Sequence, residues 1–546
     1  MAPSIVHLPN GQTLSVSPVF GGVQFKANDL ATHQNAFPPG WTITLHCEEN
    51  PDDDNPEDTG ADDAVIADHH HAARPSPSLR HDHLFISTIS NPSSSDFRPP
   101  SSPTRQIAMM LWATLWWYFH QPAPSRTLLT PASAGTPPAG RPQGEWRVHI
   151  NREGIFQGKH LLPKLERMGL IASEDSSVGA DPDDGVRDAG AGWRHMFVSQ
   201  RSFWQLDPRI YLFSLSPLPL NASYPSLSPN HSRPASPNRN TGGSGSIGVL
   251  GALPAALSRS ATPPGPYQSA SHLPTFYPPP PLQYTFTGGV RHPIRPKPPR
   301  QGETFYTRYV PSLGQYLSFR VASLSKRPVP HNGPTSTPDP THNNNFLRGG
   351  GGMHSGDSTP SGVTFGGRPV PSSSSPSDDS QLNDTELLHK WMNDPRVAAS
   401  WGESGPISHQ EAFLTHALTS RHSFPVIGCF DGKPFGYFEV YWVKEDRLSA
   451  HLSGGGDWDR GLHVLVGEAE FRGPERVKVW LSALVHWCWL ADLRTECVVM
   501  EPRVDNVKMR RYCEEAGFYK EKEVTLPHKQ SNLMKIRREA WTAPAL

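Results

Sequence analysis

Residues 461–518 run strand, glycine turn, helix, strand, helix, and that order leaves few folds open to the chain. An apolar run at 462–466 leads into Phe471-Arg472-Gly473-Pro474-Glu475-Arg476. Apolar residues then recur at Val477, Trp480, Leu481, Leu484, Val485 and Cys488, a spacing of three and four that puts them on one helix face. A second short strand, Cys497–Met500, ends at Glu501-Pro502, and a last helix starts near Asp505-Asn506 and stops at Gly517. Strand, glycine turn and helix N-terminus present free N–H groups and partial positive charge, a combination that suits phosphate. Arg472 and Arg476 add two full charges.

This stretch resembles the core of the GNAT acyltransferases, in which the turn after the fourth strand holds the pyrophosphate of coenzyme A. Gly461-Leu462-His463, Glu468, Phe471-Arg472-Gly473, Arg494-Thr495, Glu501-Pro502-Arg503, Asn506, Gly517-Phe518 and Pro527-His528-Lys529 resemble, more narrowly, the siderophore acyltransferases. These acylate N-hydroxylated lysine or ornithine. The coarse element order from Asp384 onward, α-α-β-β-β-α-β-α-β-β, is also that of the GNAT fold. A hairpin is predicted around Asp431-Gly432, and Ser408 with Glu411 has capping-box spacing.

The rest of the chain is less compact in its signals. With 59 Pro, 46 Gly and 36% apolar residues among 546, much of it cannot build a core. The expected class is α/β (α+β). A GNAT domain with a mixed central sheet spans 381–546, and an N-terminal α+β domain is assembled from 1–50, 103–216 and 301–325. The resemblance suggests a degenerate GNAT-like unit for the latter. Disordered segments are expected at 51–102, 217–300 and 326–380. An aromatic helix is predicted at 105–120, a strand at 146–150, a helix at 161–168 and two strands at 193–215. Helix, strand and helix over 105–171 also admit a winged-helix DNA reader, with few exposed basic residues to support it.

A net charge of −1 gives no global field for nucleic acid or membrane. Five scattered cysteines without a C-x-x-C pair indicate a reduced setting. There is no signal-peptide pattern, and the longest apolar run, 107–119, falls short of the roughly 20 residues that span a bilayer. The ending Pro544-Ala545-Leu546 is not of the S-K-L type. The expectation is a cytoplasmic protein. The histidines at 69–71, with His81 and His83, lack apolar neighbours to fix a geometry, and no metal site is assigned.

Acyl transfer from a thioester needs the thioester held still, a free-base nitrogen, and a stabilised oxyanion and thiolate. The resemblance places the pantetheine arm between splayed strands at 462–466 and 497–500, against Val466. The pyrophosphate falls on Arg472, Gly473, Arg476 and Val477. His463 and Glu501 then form a catalytic pair, the imidazole as base and the carboxylate orienting it. A hydrogen-bonded core histidine and a helix-end charge are the plain alternatives. Asn506 is read as a pantetheine contact and N-cap. Tyr512 is the candidate to protonate the thiolate, although its register is one residue off the usual GNAT tyrosine, on which Cys513 falls. Trp391, Arg396 and Trp401 match the acceptor side, with Arg396 on the carboxylate and Glu439 on the ammonium. Tyr441 shares the face of Glu439, and His528, in the closing turn, is a further candidate on the acceptor side, a polar turn being the plain alternative. The implied substrates are acyl-CoA, most readily acetyl-CoA, and N5-hydroxyornithine. Anhydromevalonyl-CoA is the alternative donor, and a non-catalytic coenzyme A-binding module the alternative class. No permanent cofactor is assigned, and homo-oligomerisation is left open.

Overall fold

A computed structural model describes residues 4–28, 37–47, 77–90, 103–158, 161–173, 196–212, 282–331, 333–336, 382–452 and 455–546. The first lobe opens with period-two strands: β1 (Ser4–His7), β2 (Thr13–Val19), β3 (Gly22–Ala27), β4 (Gly40–Cys47) and β5 (Asp82–Ser90). Leu14 and Val16, Val23 and Phe25, Trp41 and Ile43, Leu84 and Ile86 alternate inward. Helix α1 (Pro103–Tyr118) is buried continuously from Ala108 to Tyr118, so its tryptophans are core. Then come β6 (Arg147–Ile150), α2 (Leu161–Arg167), β7 (Ala172–Ser173), β8 (Met196–Ser199), α3 (Gln200–Trp204) and α4 (Pro208–Leu212). A separate hairpin, β9 (Tyr284–Thr287) with β10 (Val290–Pro293), precedes the second lobe.

The second lobe comprises β11 (Thr304–Val310), β12 (Gln315–Val321), α5 (Asp384–Met392), α6 (Pro395–Trp401), α7 (Ile407–Thr419), β13 (Ser423–Phe430) and β14 (Lys433–Trp442). It continues with β15 (Arg460–Val466), α8 (Pro474–Ala491), β16 (Cys497–Met500), α9 (Val507–Glu515), β17 (Tyr519–Leu526) and β18 (Lys529–Arg537).

Both lobes carry the same sheet. The first runs β1-β2-β3-β4-β5-β6-β8-β7 and the second β11-β12-β13-β14-β15-β16-β18-β17. In each, five strands form an antiparallel meander, the fifth and sixth are parallel, and the last two reverse order. A helix makes the parallel crossover in each case: α1 in the first lobe, α8 in the second. One apolar core runs through both lobes. They also meet through polar contacts, with the His486 ring on Trp204 O at 2.6 Å and His7 stacked on Tyr309 at 4.0 Å.

Several sequence expectations are corrected here. Residues 304–321 do not complete the first sheet: β12 pairs with β13 from Leu317↔Phe430 to Val321↔Val426. The intervening low-complexity chain masks this pairing, because lengthening a loop adds little closure entropy. The segment expected to be disordered at 51–102 contains β5, the central strand of the first sheet, and that at 217–300 contains the β9–β10 hairpin. The two strands expected at 193–215 are β8 followed by α3 and α4. Ser199 accepts from Ser202 N at 3.2 Å, and Asp207 accepts from Arg209 N at 2.9 Å, so two capping residues start helices there. Ser408 lies inside α7 rather than at its cap, which is Pro406; the capping box is Asn383 with Glu386 at the head of α5. The winged-helix reading of 105–171 gives way to the sheet pairing of β6 and the burial of α1. The histidines at 69–71 lie outside the described residues.

Candidate active site

Strands β15 and β16 are parallel only at Arg460↔Val498 and Gly461↔Val499. Beyond that point they part, so from Leu462 on one edge of β15 faces a gap. His463 sits on that edge just past the fork. Antiparallel register puts Glu439 of β14 directly opposite it, while β16 delivers Glu501 at its end. His463 Nδ1 lies 2.8 Å from Glu439 Oε2 and Nε2 lies 2.8 Å from Glu501 Oε1. Each carboxylate is held from its far side: Tyr437 donates to Glu439 at 2.9 Å and Tyr441 donates to Glu501 at 3.1 Å. Lys529 Nζ donates to Glu501 O at 2.9 Å and stands 3.5 Å from its Oε1.

This line of five side chains has a definite protonation state. Two ionised carboxylates can both accept from one imidazole only if both ring nitrogens carry hydrogen. Burial alone pulls His463 down, but the Glu501 charge and the hydrogen bonds to Glu439 and Glu501 outweigh it and raise the group to about 10. Burial likewise pushes Glu501 up, but the His463 charge and hydrogen bond, then Lys529 and Tyr441, bring it down to about 2. Burial and the neighbouring carboxylates raise both tyrosines well above their usual range, so they remain donors. These shifts favour an imidazolium at His463 at neutral pH, where the motif suggested a base.

Accessibility is uneven. The Glu501 side chain is 5% exposed, Glu439 18% and His463 33%, so the cluster opens on the Glu439 side. Gly461 is required beneath it: a Cβ there would lie 2.0 Å from the Tyr441 ring.

The glycine turn expected before α8 is formed, with some of its first-turn donors removed. Gly473, at φ 120, is the N-cap of α8, in backbone that favours glycine. Pro474 has no N–H, and Val477 N already donates to Gly473 O at 3.0 Å. The N–H groups of Gly473, Glu475 and Arg476 remain as first-turn donors. Arg472 donates to Gly467 O at 2.8 Å and Val466 O at 3.4 Å, bracing the turn against β15. Arg476 donates to Gln315 at 3.0 Å and stacks on Phe430 and Phe471.

Other sequence-derived candidates fall in different places. Asn506 caps α9 through Met509 N at 3.0 Å. Tyr512 is half-buried against the core, and among the described residues no hydrogen bond joins it to His463. Cys513 is fully buried, its thiol pushed up to about 12 by burial first. Trp391 is not an acceptor contact: its ring is 1% exposed, sits where a Cβ on Gly467 would be, and donates to Glu468 at 2.5 Å. Arg396 pairs with Asp394, which caps its own helix. Trp401 meets the edge of Tyr437 at 5.8 Å and so touches the cluster through that ring. Tyr441 is buried with its hydroxyl committed to Glu501, and both Glu439 oxygens are engaged within the line. His528 is exposed beside Lys529. Among the described residues no His/Cys/Asp/Glu group could hold a metal, and no helix is long and apolar enough to cross a membrane.

A fork between parallel strands, a glycine turn heading the intervening helix and a proton-carrying cluster at the fork define an acyltransferase domain of GNAT type. The Acetyltransferase (GNAT) domain family matches residues 380–526. The chain is 44% identical to the N5-hydroxyornithine acetylase sidL of Beauveria bassiana, over 97% of this chain and 100% of that protein. It is 45% identical to the N(6)-hydroxylysine O-acetyltransferase of Escherichia coli over 29% of this chain and 50% of that one. It is 33% identical to the N(5)-hydroxyornithine:cis-anhydromevalonyl coenzyme A-N(5)-transacylase SIDF of Beauveria bassiana, over 45% and 42% of the two chains. The chain belongs to the siderophore-biosynthesis acyltransferases of the GNAT superfamily.

Proposed function

We propose that this enzyme transfers an acetyl group from acetyl-CoA to the hydroxylamine nitrogen of N5-hydroxyornithine, forming a hydroxamate for siderophore assembly. The observation that carries this reading is the Glu439–His463–Glu501 line at the fork of β15 and β16. The near full-length similarity to a hydroxyornithine acetylase supports the choice of acceptor and acetyl donor. The pantetheine arm occupies the gap along β15 to Val466, and the pyrophosphate takes the N–H groups of Gly473, Glu475 and Arg476. Arg472 shapes that turn.

An alkylhydroxylamine nitrogen is weakly basic and carries its lone pair free at neutral pH, so no base is needed before attack. The lone pair forms the C–N bond, and the C–S bond breaks as the tetrahedral intermediate collapses. The nitrogen's proton passes to Glu439, the more accessible carboxylate. Glu439 then gives that proton to the leaving thiolate, while the imidazolium of His463, hydrogen-bonded to both carboxylates, holds Glu439 in place and balances the developing negative charge. Glu501 keeps the imidazolium charged and oriented throughout. His463 thus stays charged through the cycle and acts by positioning Glu439, and Tyr512 has no required part.

The test is mass-spectrometric product analysis of the purified chain with N5-hydroxyornithine and a panel of acyl-CoAs. Acetyl transfer with the highest kcat/KM is expected, with ornithine a poor acceptor. Turnover confined to anhydromevalonyl-CoA would make the chain the transacylase instead. Coenzyme A binding without turnover of any donor would reduce it to a binding module.

A further inference from the structure

Away from the His463 cluster, the two lobes enclose a cavity of about 60 Å³. Asn10, Trp116 and the start of α4 line it from the first lobe; β11 and the C-terminal half of α8 line it from the second. At His486 it lies thirteen residues along α8 from Gly473, roughly 20 Å away at 1.5 Å per residue. It is therefore separate from the phosphate turn.

Strand β11 contributes Arg308 to the wall. This residue is 1% exposed. Its Nε donates to Tyr306 Oη at 3.2 Å, but Nη1 and Nη2 have no hydrogen-bond partner. The neighbouring groups able to balance the charge are committed. Asp207 is held by Arg209 through Nε at 3.0 and 2.9 Å and Nη2 at 2.6 Å. His486 accepts from Tyr306 Oη at 2.9 Å and donates to Trp204 O at 2.6 Å. Burial, then the Arg308 charge, pushes this imidazole down to about 3, and it stays neutral. The wall holds two guanidiniums against one carboxylate. A buried charge without a partner is strongly unfavourable. Two unoccupied guanidinium nitrogens make the fork that grips a carboxylate or phosphate through paired hydrogen bonds.

We propose that the inter-lobe cavity binds a small oxyanion of carboxylate or phosphate size on Arg308 Nη1 and Nη2. The bound anion bridges the motif-free first lobe to the acyltransferase lobe and fixes their docking. This inference is independent of the acyl donor and acceptor.

The experiment is thermal unfolding of the full-length chain without coenzyme A. Inorganic phosphate, acetate and chloride are titrated separately, with ionic strength fixed by a bulky organic sulfonate. The midpoint rises with phosphate or acetate by roughly 2–4 °C per tenfold increase above the dissociation constant, and the more effective series identifies the anion. Arg308→Met removes the charge and keeps apolar length, so its midpoint stays flat in both oxyanion series. Should that variant not fold, Arg308→Lys keeps the charge and loses the fork, and its rise moves to at least tenfold higher concentration. A flat wild-type midpoint overturns the proposal. So does an unchanged rise in either Arg308 variant, or a chloride series equal to the oxyanions.

Discussion

Glu439→Gln separates two roles for one carboxylate. The side chain carries two bonds, to His463 Nδ1 at 2.8 Å and from Tyr437 at 2.9 Å. Glutamine keeps the shape and removes the charge, so one charge-assisted hydrogen bond to the imidazolium is lost. That bond is worth about 1.5–3 kcal/mol, or roughly 10–150-fold if it only supports the imidazolium. Loss of the proton acceptor as well brings the expected drop in kcat to about 10²–10⁴-fold. KM for hydroxyornithine and the affinity for acyl-CoA stay within a few-fold, because neither depends on the proton transfer. The pH–rate profile carries a second signature. In the parent enzyme activity falls as pH rises through about 10, where His463 loses its proton. With one carboxylate neutralised, that basic limb moves toward neutrality. Steady-state kinetics across pH with both substrates varied makes the measurement. A raised acceptor KM at unchanged kcat would refute the reasoning and return Glu439 to the role its sequence position suggested, a grip on the substrate ammonium.

Four further outcomes are expected. His463→Ala lowers kcat by about 10²–10⁴-fold with coenzyme A affinity unchanged, and adding Glu501→Gln makes little further difference, because residues acting as a unit are not additive; wild-type kcat in a folded variant would remove His463 from the chemistry. Arg472→Ala weakens coenzyme A binding by loosening the braced turn, at a cost of about 1.5–3 kcal/mol measured by calorimetry, and unchanged affinity would dissociate the turn from the pyrophosphate. Gly461→Ala drives a Cβ to within 2.0 Å of the Tyr441 ring and lowers stability by about 1–3 kcal/mol in chemical denaturation, while an unaltered midpoint would mean the ring yields freely. Stability is also pH-dependent in two directions. The raised His463 contributes fully below 6.5 and loses its contribution as pH climbs through about 10, whereas the lowered Glu501 contributes above 4.5 and loses it as pH falls toward 2. Urea midpoints in Glu501→Gln should flatten the acid limb, and an identical profile would contradict the pairing.

The second lobe was legible because its signals are local. A glycine with φ 120 before Pro474, an amphipathic helix behind it and a histidine on the preceding strand sit within thirty residues of sequence, and the structure keeps that order. What escaped the sequence was set by distant pairing. Period-two alternation put Glu439 and Tyr441 on one face, but only the β14–β15 register brings Glu439 opposite His463 and Tyr441 over Gly461. Without that register Glu439 reads as a free carboxylate, and His463 as a base rather than as an imidazolium with both nitrogens committed. Trp391 misled for a related reason. An aromatic on the first helix resembles an acceptor contact until Gly467, on the far side of the sheet's connection, is seen to make room for its ring.

The first lobe was obscured by composition. Strand β5 is nine residues long between stretches rich in His, Ser and Pro, and a window average buries its alternation. Yet it is the strand on which the repeated topology turns, since it forms the parallel pair with β6 as β15 does with β16. The comparison between the lobes shows what the shared fold does and does not supply. In the first lobe β5 and β6 pair at Asp82↔Val148, His83↔His149 and Leu84↔Ile150. The chain after β5 enters α1, which carries three buried aromatic residues, Trp116, Trp117 and Tyr118, in its last turn and a half and no acidic residue in its first turn. Asp82, at the other end of that paired stretch from the fork, is fully buried and accepts from Tyr118 at 2.5 Å, and Tyr118 in turn accepts from Trp146 at 3.0 Å. Two residues past the last parallel pair the second lobe places His463, 33% exposed, whereas the first lobe places Ile86, fully buried. The same sheet therefore presents a charged, accessible centre at its parallel fork in one lobe and a buried aliphatic residue there in the other, and that difference supports placing the proposed acyl transfer in the second lobe.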